Sequence, residues 1–119
     1  MAKTVMVVDD AQFMRMRVAK LLSQNGYEVV EAEDGEVAVK TYQSENPDAV
    51  IMDITMPRKD GLSALREIRE FDCRAKIIML TALGQQSMVL EAMKAGAKDF
   101  LVKPYDPDRV IKTLDKVLG

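Results

Sequence analysis

Ala49-Val50-Ile51-Met52-Asp53-Ile54-Thr55-Met56-Pro57 joins four apolar residues, two of them β-branched, to a single carboxylate, and Asp60-Gly61 closes the turn that follows. A continuous apolar run bounded by turn residues predicts a strand buried on both faces, as in a parallel sheet. Asp53 then stands at the C-terminal end of that strand, the edge along which open α/β folds bind ligands. An unpaired charge buried there costs on the order of several kcal/mol or shifts its pKa. The plainer reading, an Asp that merely caps the next helix, fits the same residue and stays open at this point.

Working outward, Thr4–Val8 is a second apolar run, and it ends on Asp9-Asp10. Asp10 is a candidate cap for a helix whose apolar positions Met14, Val18, Leu21 and Leu22 recur at helical spacing, with Gly26 at the left-handed position past its end. Tyr27–Ala32 predicts a strand, and Asp34-Gly35 opens a helix that runs toward Asn46-Pro47. Leu62, Leu65 and Ile68 mark a third helix with a charged outer face. Lys76–Thr81 predicts a strand. A helix from about Gln86 to Ala95 carries Met88, Val89, Ala92 and Met93 on one side and stops at Gly96. Phe100–Lys103 predicts the last strand, and Asp106-Pro107 starts a final helix lined by Val110, Ile111, Leu114, Val117 and Leu118. Five strands alternating with five helices over short loops predict an α/β fold, a doubly wound parallel sheet with helices on both faces. The pattern uses residues 1–119 as one domain.

The totals narrow the chemistry. The chain has 119 residues, 17 basic and 19 acidic, for a net charge of −2, which favours neither nucleic acid nor an anionic membrane as a partner. No apolar run reaches the roughly 18 residues of a membrane span, and the N-terminus leads directly into a strand, so a cytoplasmic protein without a signal peptide is expected. Cys73 is alone and cannot form an internal disulfide. Histidine is absent, which excludes Ser-His-Asp and Cys-His catalysis within the chain. With one Cys and no His, zinc is poorly served, while carboxylates suit a hard cation such as Mg²⁺.

In a parallel sheet all strand C-termini share one edge. Asp9 and Asp10 end the first strand, Asp53 the third, Thr81 the fourth and Lys103 the fifth. Three carboxylates brought together raise one another's pKa, and a divalent cation relieves the repulsion. A phosphoryl group arriving there meets the electrostatic partners that phosphoryl transfer needs, in the Lys103 ammonium and the Thr81 hydroxyl. An aspartate can attack phosphorus itself, and Asp53, central and alone on its strand, is the best nucleophile.

Val-Asp-Asp-Ala at 8–11, Met-Asp-Ile-Thr-Met-Pro at 52–57 with Asp60-Gly61, Thr81-Ala82 and Val-Lys-Pro at 102–104 resemble the receiver domain of two-component response regulators along the whole chain. Residues 9–16, 84–89 and 94–100 are also similar to single-domain chemotaxis regulators of the CheY type. The resemblance implies the flavodoxin-like (βα)5 fold with strand order 2-1-3-4-5. It implies phosphorylation of Asp53 by a sensor histidine kinase phosphohistidine, a Mg²⁺ site from Asp9, Asp10 (principally Asp10), Asp53 and the Thr55 carbonyl, and catalytic support from Lys103 and Thr81. It implies a switch pair of Thr81 and Phe100, Phe100 standing where relatives often have Tyr. It further implies an output face built from the fourth helix, fifth strand and fifth helix, and a cis peptide before Pro104. The expected protein is a monomeric signalling switch, not an enzyme beyond its own phosphorylation and slow dephosphorylation. Its partners would be the kinase, a downstream target such as a flagellar motor switch protein, and a dedicated phosphatase. Thr55 and Leu83, which flank the approach of water, are the reason dephosphorylation is expected to be slow.

Three other readings use the same residues. The domain could equally be a receiver from a longer multidomain regulator. A Mg²⁺-dependent aspartyl-phosphate phosphohydrolase needs a second Asp two residues past the nucleophile, where this chain has Thr55. A flavin protein must accept a phosphate in its first loop, where Asp9-Asp10 repels it.

Overall fold

The computed structural model describes residues 2–56, 58–82 and 84–119. In order, the elements are β1 (Thr4–Val8), α1 (Gln12–Gln24), β2 (Glu28–Ala32), α2 (Gly35–Glu45), β3 (Ala49–Asp53), α3 (Gly61–Phe71), β4 (Ile77–Thr81), α4 (Gln86–Lys94), β5 (Asp99–Val102) and α5 (Pro107–Leu118). The strands form one parallel sheet in the order β2-β1-β3-β4-β5. This is the flavodoxin-like order expected from the sequence.

All five residues of β3, and all five of β4, are buried. Their alternating side chains feed two separate cores, because successive residues of a strand point to opposite faces. Met6, Val50, Met52 and Met79 pack with Tyr42, Leu65, Ile68 and Ala92 from α2, α3 and α4. Val5, Ile51, Ile78 and Leu101 pack with Val18, Leu22, Val110 and Leu114 from α1 and α5. Burying each large side chain contributes roughly 1.5–3 kcal/mol, so the strands are held from both sides while their polar C-terminal ends are left at the rim.

Aspartates open three of the helices. Asp34 caps α2 through the Val37 N–H, Asp60 caps α3 through the Ser63 N–H, and Asp106 precedes Pro107 at the start of α5. Gly26, at φ +88°, turns the chain out of α1. The Lys103–Pro104 peptide is cis, as the resemblance implied.

Several expectations need correction. Asp10 does not cap α1. The N-cap is Ala11, without a side-chain cap bond, because Asp9 Oδ1 accepts from the Ala11 N–H at 2.9 Å and holds the loop before the helix starts. β2 starts at Glu28 because the Tyr27 N–H is still donated to Leu22 O at the end of α1. β4 starts one residue later than expected, at Ile77; β5 runs Asp99–Val102, one residue earlier than expected; and α4 ends at Lys94. The apolar stripe of α4 does not face the core along its whole width. Ala92 is the buried residue of that helix, while Met93 is 39% exposed beside the exposed Leu90.

Candidate functional site

The end of β3 is shaped by a close backbone approach. The Gly61 N–H donates to Ile54 O at 2.6 Å, and a Cβ at Gly61 would lie 2.0 Å from Asp53 O. Only glycine lets the first turn of α3 fold back onto the strand end, and that contact fixes where the Asp53 side chain emerges.

Parallel pairing of β1 with β3 then brings Asp9 beside it. Asp9, Asp10 and Asp53 each offer a carboxylate oxygen within 4.8 Å of the others. Asp9 is 1% exposed and Asp53 8%, whereas Asp10 faces solvent. From just past β5, Lys103 Nζ donates to Asp53 Oδ2 at 2.8 Å and lies 3.7 Å from Asp9 Oδ2. Thus four sequence-predicted residues, Asp9, Asp10, Asp53 and Lys103, converge.

One ammonium faces three carboxylates, and the imbalance is visible in the buried pair. Burial pushes the Asp9 carboxyl above its usual range, against the Ala11 N–H and the Lys103 charge, and the Asp53 and Asp10 charges add to the rise. Burial works against the Lys103 ammonium too, but the Asp53 hydrogen bond and the charges of Asp53 and Asp9 outweigh it and raise its pKa. Asp9 Oδ2 is buried and accepts no hydrogen bond from the described residues. Such an oxygen is costly without a partner. All-oxygen donors, excess negative charge and one orphaned buried oxygen fit a hard divalent cation of the Mg²⁺ type.

Thr81, 2% exposed, ends β4 next to this cluster. Its hydroxyl contacts Gln85 Oε1 at 3.0 Å and Ala82 O at 3.1 Å, and no hydrogen bond joins it to the carboxylates among the described residues. The Thr55 N–H reaches Asp53 Oδ1 at 3.4 Å, and the Thr55 hydroxyl accepts from Gln85 Nε2 at 2.9 Å. Phe100 is not in the cluster. It pairs with Met79 across β4 and β5 and is 38% exposed in an apolar groove of about 370 Å³, with Thr81, Gln85, Val89, Leu90 and Val102. Leu83, expected beside the path of water, and Pro57 of the quoted motif lie outside the described residues.

Two residues at the site escaped the sequence reading. Arg15 donates to Asp9 O at 2.8 Å and pairs with Glu31 at 3.0 Å, tying the β1 loop to α1 and β2. Gln85 spans two loops. Both act by side-chain bonds across loops, which no periodicity encodes.

A parallel sheet whose strand ends gather three acidic side chains and a lysine defines the response regulator receiver domain, and residues 5–115 match that family. The chain belongs to it, and is accordingly a phosphorylation-activated switch of two-component signalling. It is 55% identical over 120 aligned positions to chemotaxis protein CheY of Bacillus subtilis, covering all of both chains. It is 53% identical to chemotaxis protein CheY of Thermotoga maritima over 98% of each. Among solved structures, the CheX-CheY-BeF3-Mg²⁺ complex from Borrelia burgdorferi superimposes with a TM-score of 0.92 at 38% identity, over 98% of this chain and 90% of that one. Receiver domains bind Mg²⁺ at an acidic cluster of this kind. No described helix is long and apolar enough to cross a membrane.

Proposed function

We propose that residues 1–119 act as a single receiver in chemotaxis signalling and that Asp53 is the phosphoryl acceptor. The observation that carries this is the buried Asp53 carboxylate, bonded to Lys103 at 2.8 Å and next to the orphaned Asp9 oxygen. An Asp53 oxygen forms the P–O bond as the P–N bond of a kinase phosphohistidine breaks, and the electron pair leaves on the imidazole nitrogen. Lys103 and Thr81 bind phosphoryl oxygens. Asp10, Asp9, Asp53 and the Thr55 carbonyl would hold Mg²⁺, which supplies positive charge against the transferring group.

The output surface in this reading is the face of α4, β5 and α5, with Thr81 and Phe100 as the switch pair. Phosphorylation draws the Thr81 hydroxyl toward the site and the Phe100 ring turns into the space left, biasing two states. The target is a motor switch protein or a partner of the CheX kind, the latter serving as phosphatase. The Thr55 hydroxyl has too short a reach to orient water well, so self-dephosphorylation is slow, and Thr55→Asn shortens the phosphoryl lifetime.

Mass spectrometry after incubation with acetyl phosphate and Mg²⁺ tests the central assignment. One phosphoryl group on Asp53, absent in Asp53→Asn, is expected; a label on another residue of the parent protein overturns it. Chemical-shift mapping with beryllofluoride tests the output face, and perturbations confined to the cluster would exclude it.

A further inference from the structure

Among the described residues, Gln85 is the one side chain that bonds to both the β3–α3 and the β4–α4 loops beside Thr81. Its Oε1 accepts from the Ala82 N–H at 2.7 Å and from the Thr81 hydroxyl at 3.0 Å, and its Nε2 donates to the Thr55 hydroxyl at 2.9 Å. The backbone N–H of Ala82 can only donate, so the amide oxygen must face Ala82 and Thr81, which leaves the amide nitrogen facing Thr55. A hydroxyl has one hydrogen, and both contacts of Thr81 Oγ1, to Gln85 Oε1 and Ala82 O, draw that hydrogen into the β4–α4 loop. It is therefore committed away from Asp53.

We propose that Gln85 is a positioning residue that latches the resting state: it holds the Thr81 hydroxyl off the phosphoryl site and ties the β3–α3 loop, through Thr55, to the same amide. Phosphorylation must break this bond before Thr81 can donate to a phosphoryl oxygen. The two loops are then released together, because one side chain holds both. This inference rests on the reading of Thr81 as a phosphoryl-binding residue. Removing the amide leaves no buried donor stranded, since the buried Thr81 hydroxyl keeps Ala82 O at 3.1 Å as an acceptor, and Ala82 is exposed, so water can accept its N–H. Gln85 is the N-cap residue of α4, but its side chain makes no capping bond, and its backbone carbonyl, which accepts from the Val89 N–H at 3.0 Å, is kept in any substitution.

The test is a double-mutant cycle on affinity for beryllofluoride in the presence of Mg²⁺, measured by calorimetry on the parent, Gln85→Ala, Thr81→Ala and the double variant. Gln85→Ala should bind about fivefold tighter than the parent, the factor that corresponds to one net hydrogen bond. Thr81→Ala should bind more weakly, and adding Gln85→Ala to it should change nothing. A merely structural role would not make the gain depend on the Thr81 hydroxyl. Equal or weaker binding by Gln85→Ala overturns the latch, as does an equal gain in the Thr81→Ala background. Thr81→Ala binding as tightly as the parent instead removes the underlying role of Thr81, and the latch with it. Thermal melts accompany each protein, and Gln85→Leu, which keeps bulk and loses all three bonds, replaces Gln85→Ala if that variant is unfolded.

Discussion

The Lys103 ammonium, just past β5, is bonded to the Asp53 carboxylate at the end of β3, reaching across the end of the intervening β4. This bond offsets part of the repulsion among Asp9, Asp10 and Asp53. Lys103→Met should lower metal-free stability by about 1–3 kcal/mol, less than the roughly 3–5 kcal/mol of removing one partner of a fully buried pair, because Lys103 keeps a quarter of its surface. Urea melts in chelator measure it. A variant as stable as the parent would mean that the carboxylates shed their charge by protonation instead.

Metal should stabilise the folded chain before any phosphoryl group arrives. With free Mg²⁺ a hundredfold above its dissociation constant, the gain is about 2.7 kcal/mol. Asp10→Ala should lose that response. Asp9→Asn should be more stable than the parent in chelator, by about 1 kcal/mol, because it removes a buried carboxylate that burial already disfavours. Thermal midpoints with Mg²⁺ and with chelator decide both, and parent midpoints that coincide would count against a metal site.

Tyr42, buried in α2, donates its hydroxyl to Asp72 Oδ2 at 2.7 Å. That bond holds the Asp72 carboxyl below its ordinary value of 3.8, with the Arg74 N–H helping. A depressed folded pKa contributes stability that is complete above the unfolded value and fades as pH falls through the folded one. Tyr42→Phe should cost about 1 kcal/mol at neutral pH. The gap between variant and parent should close as pH falls below 3.8, which urea melts at neutral and acid pH would show.

Gly61→Ala places a methyl group 2.0 Å from Asp53 O. The strand end must shift, at about 2 kcal/mol or more, by the usual cost of overpacking. Because the displaced residue is Asp53 itself, the Mg²⁺-dependent rise in midpoint should shrink as well. A variant that loses stability but keeps the full metal response would separate the turn from the site.

The buried run into Asp53 is enough to predict the central strand, and the polar residues at every strand end but the second give Asp9, Asp53, Thr81 and Lys103 their shared edge. That much is legible because strand burial and parallel order follow from local composition. Asp10 was misread as a cap because Asp9 satisfies the backbone one residue earlier, a competition between adjacent identical side chains that sequence does not resolve. Met93 fits the helical stripe, yet a stripe fixes only relative direction; α4 seats Ala92 against the sheet and leaves Met93 at the groove. Gln85 lies in the 84–89 stretch of the resemblance, but no periodicity gives its role, since its bonds link loops that meet only after the sheet has formed.

Asp53 and Lys103 are 50 residues apart in the chain. The strands that lead into Asp9, Asp10 and Asp53 all precede Lys103, so the carboxylates come from the ends of β1 and β3 and the ammonium that answers them from just past β5. The lysine enters with the final βα unit. The Asp53–Lys103 pair thus forms only once β5 has joined the edge of the sheet beside β4.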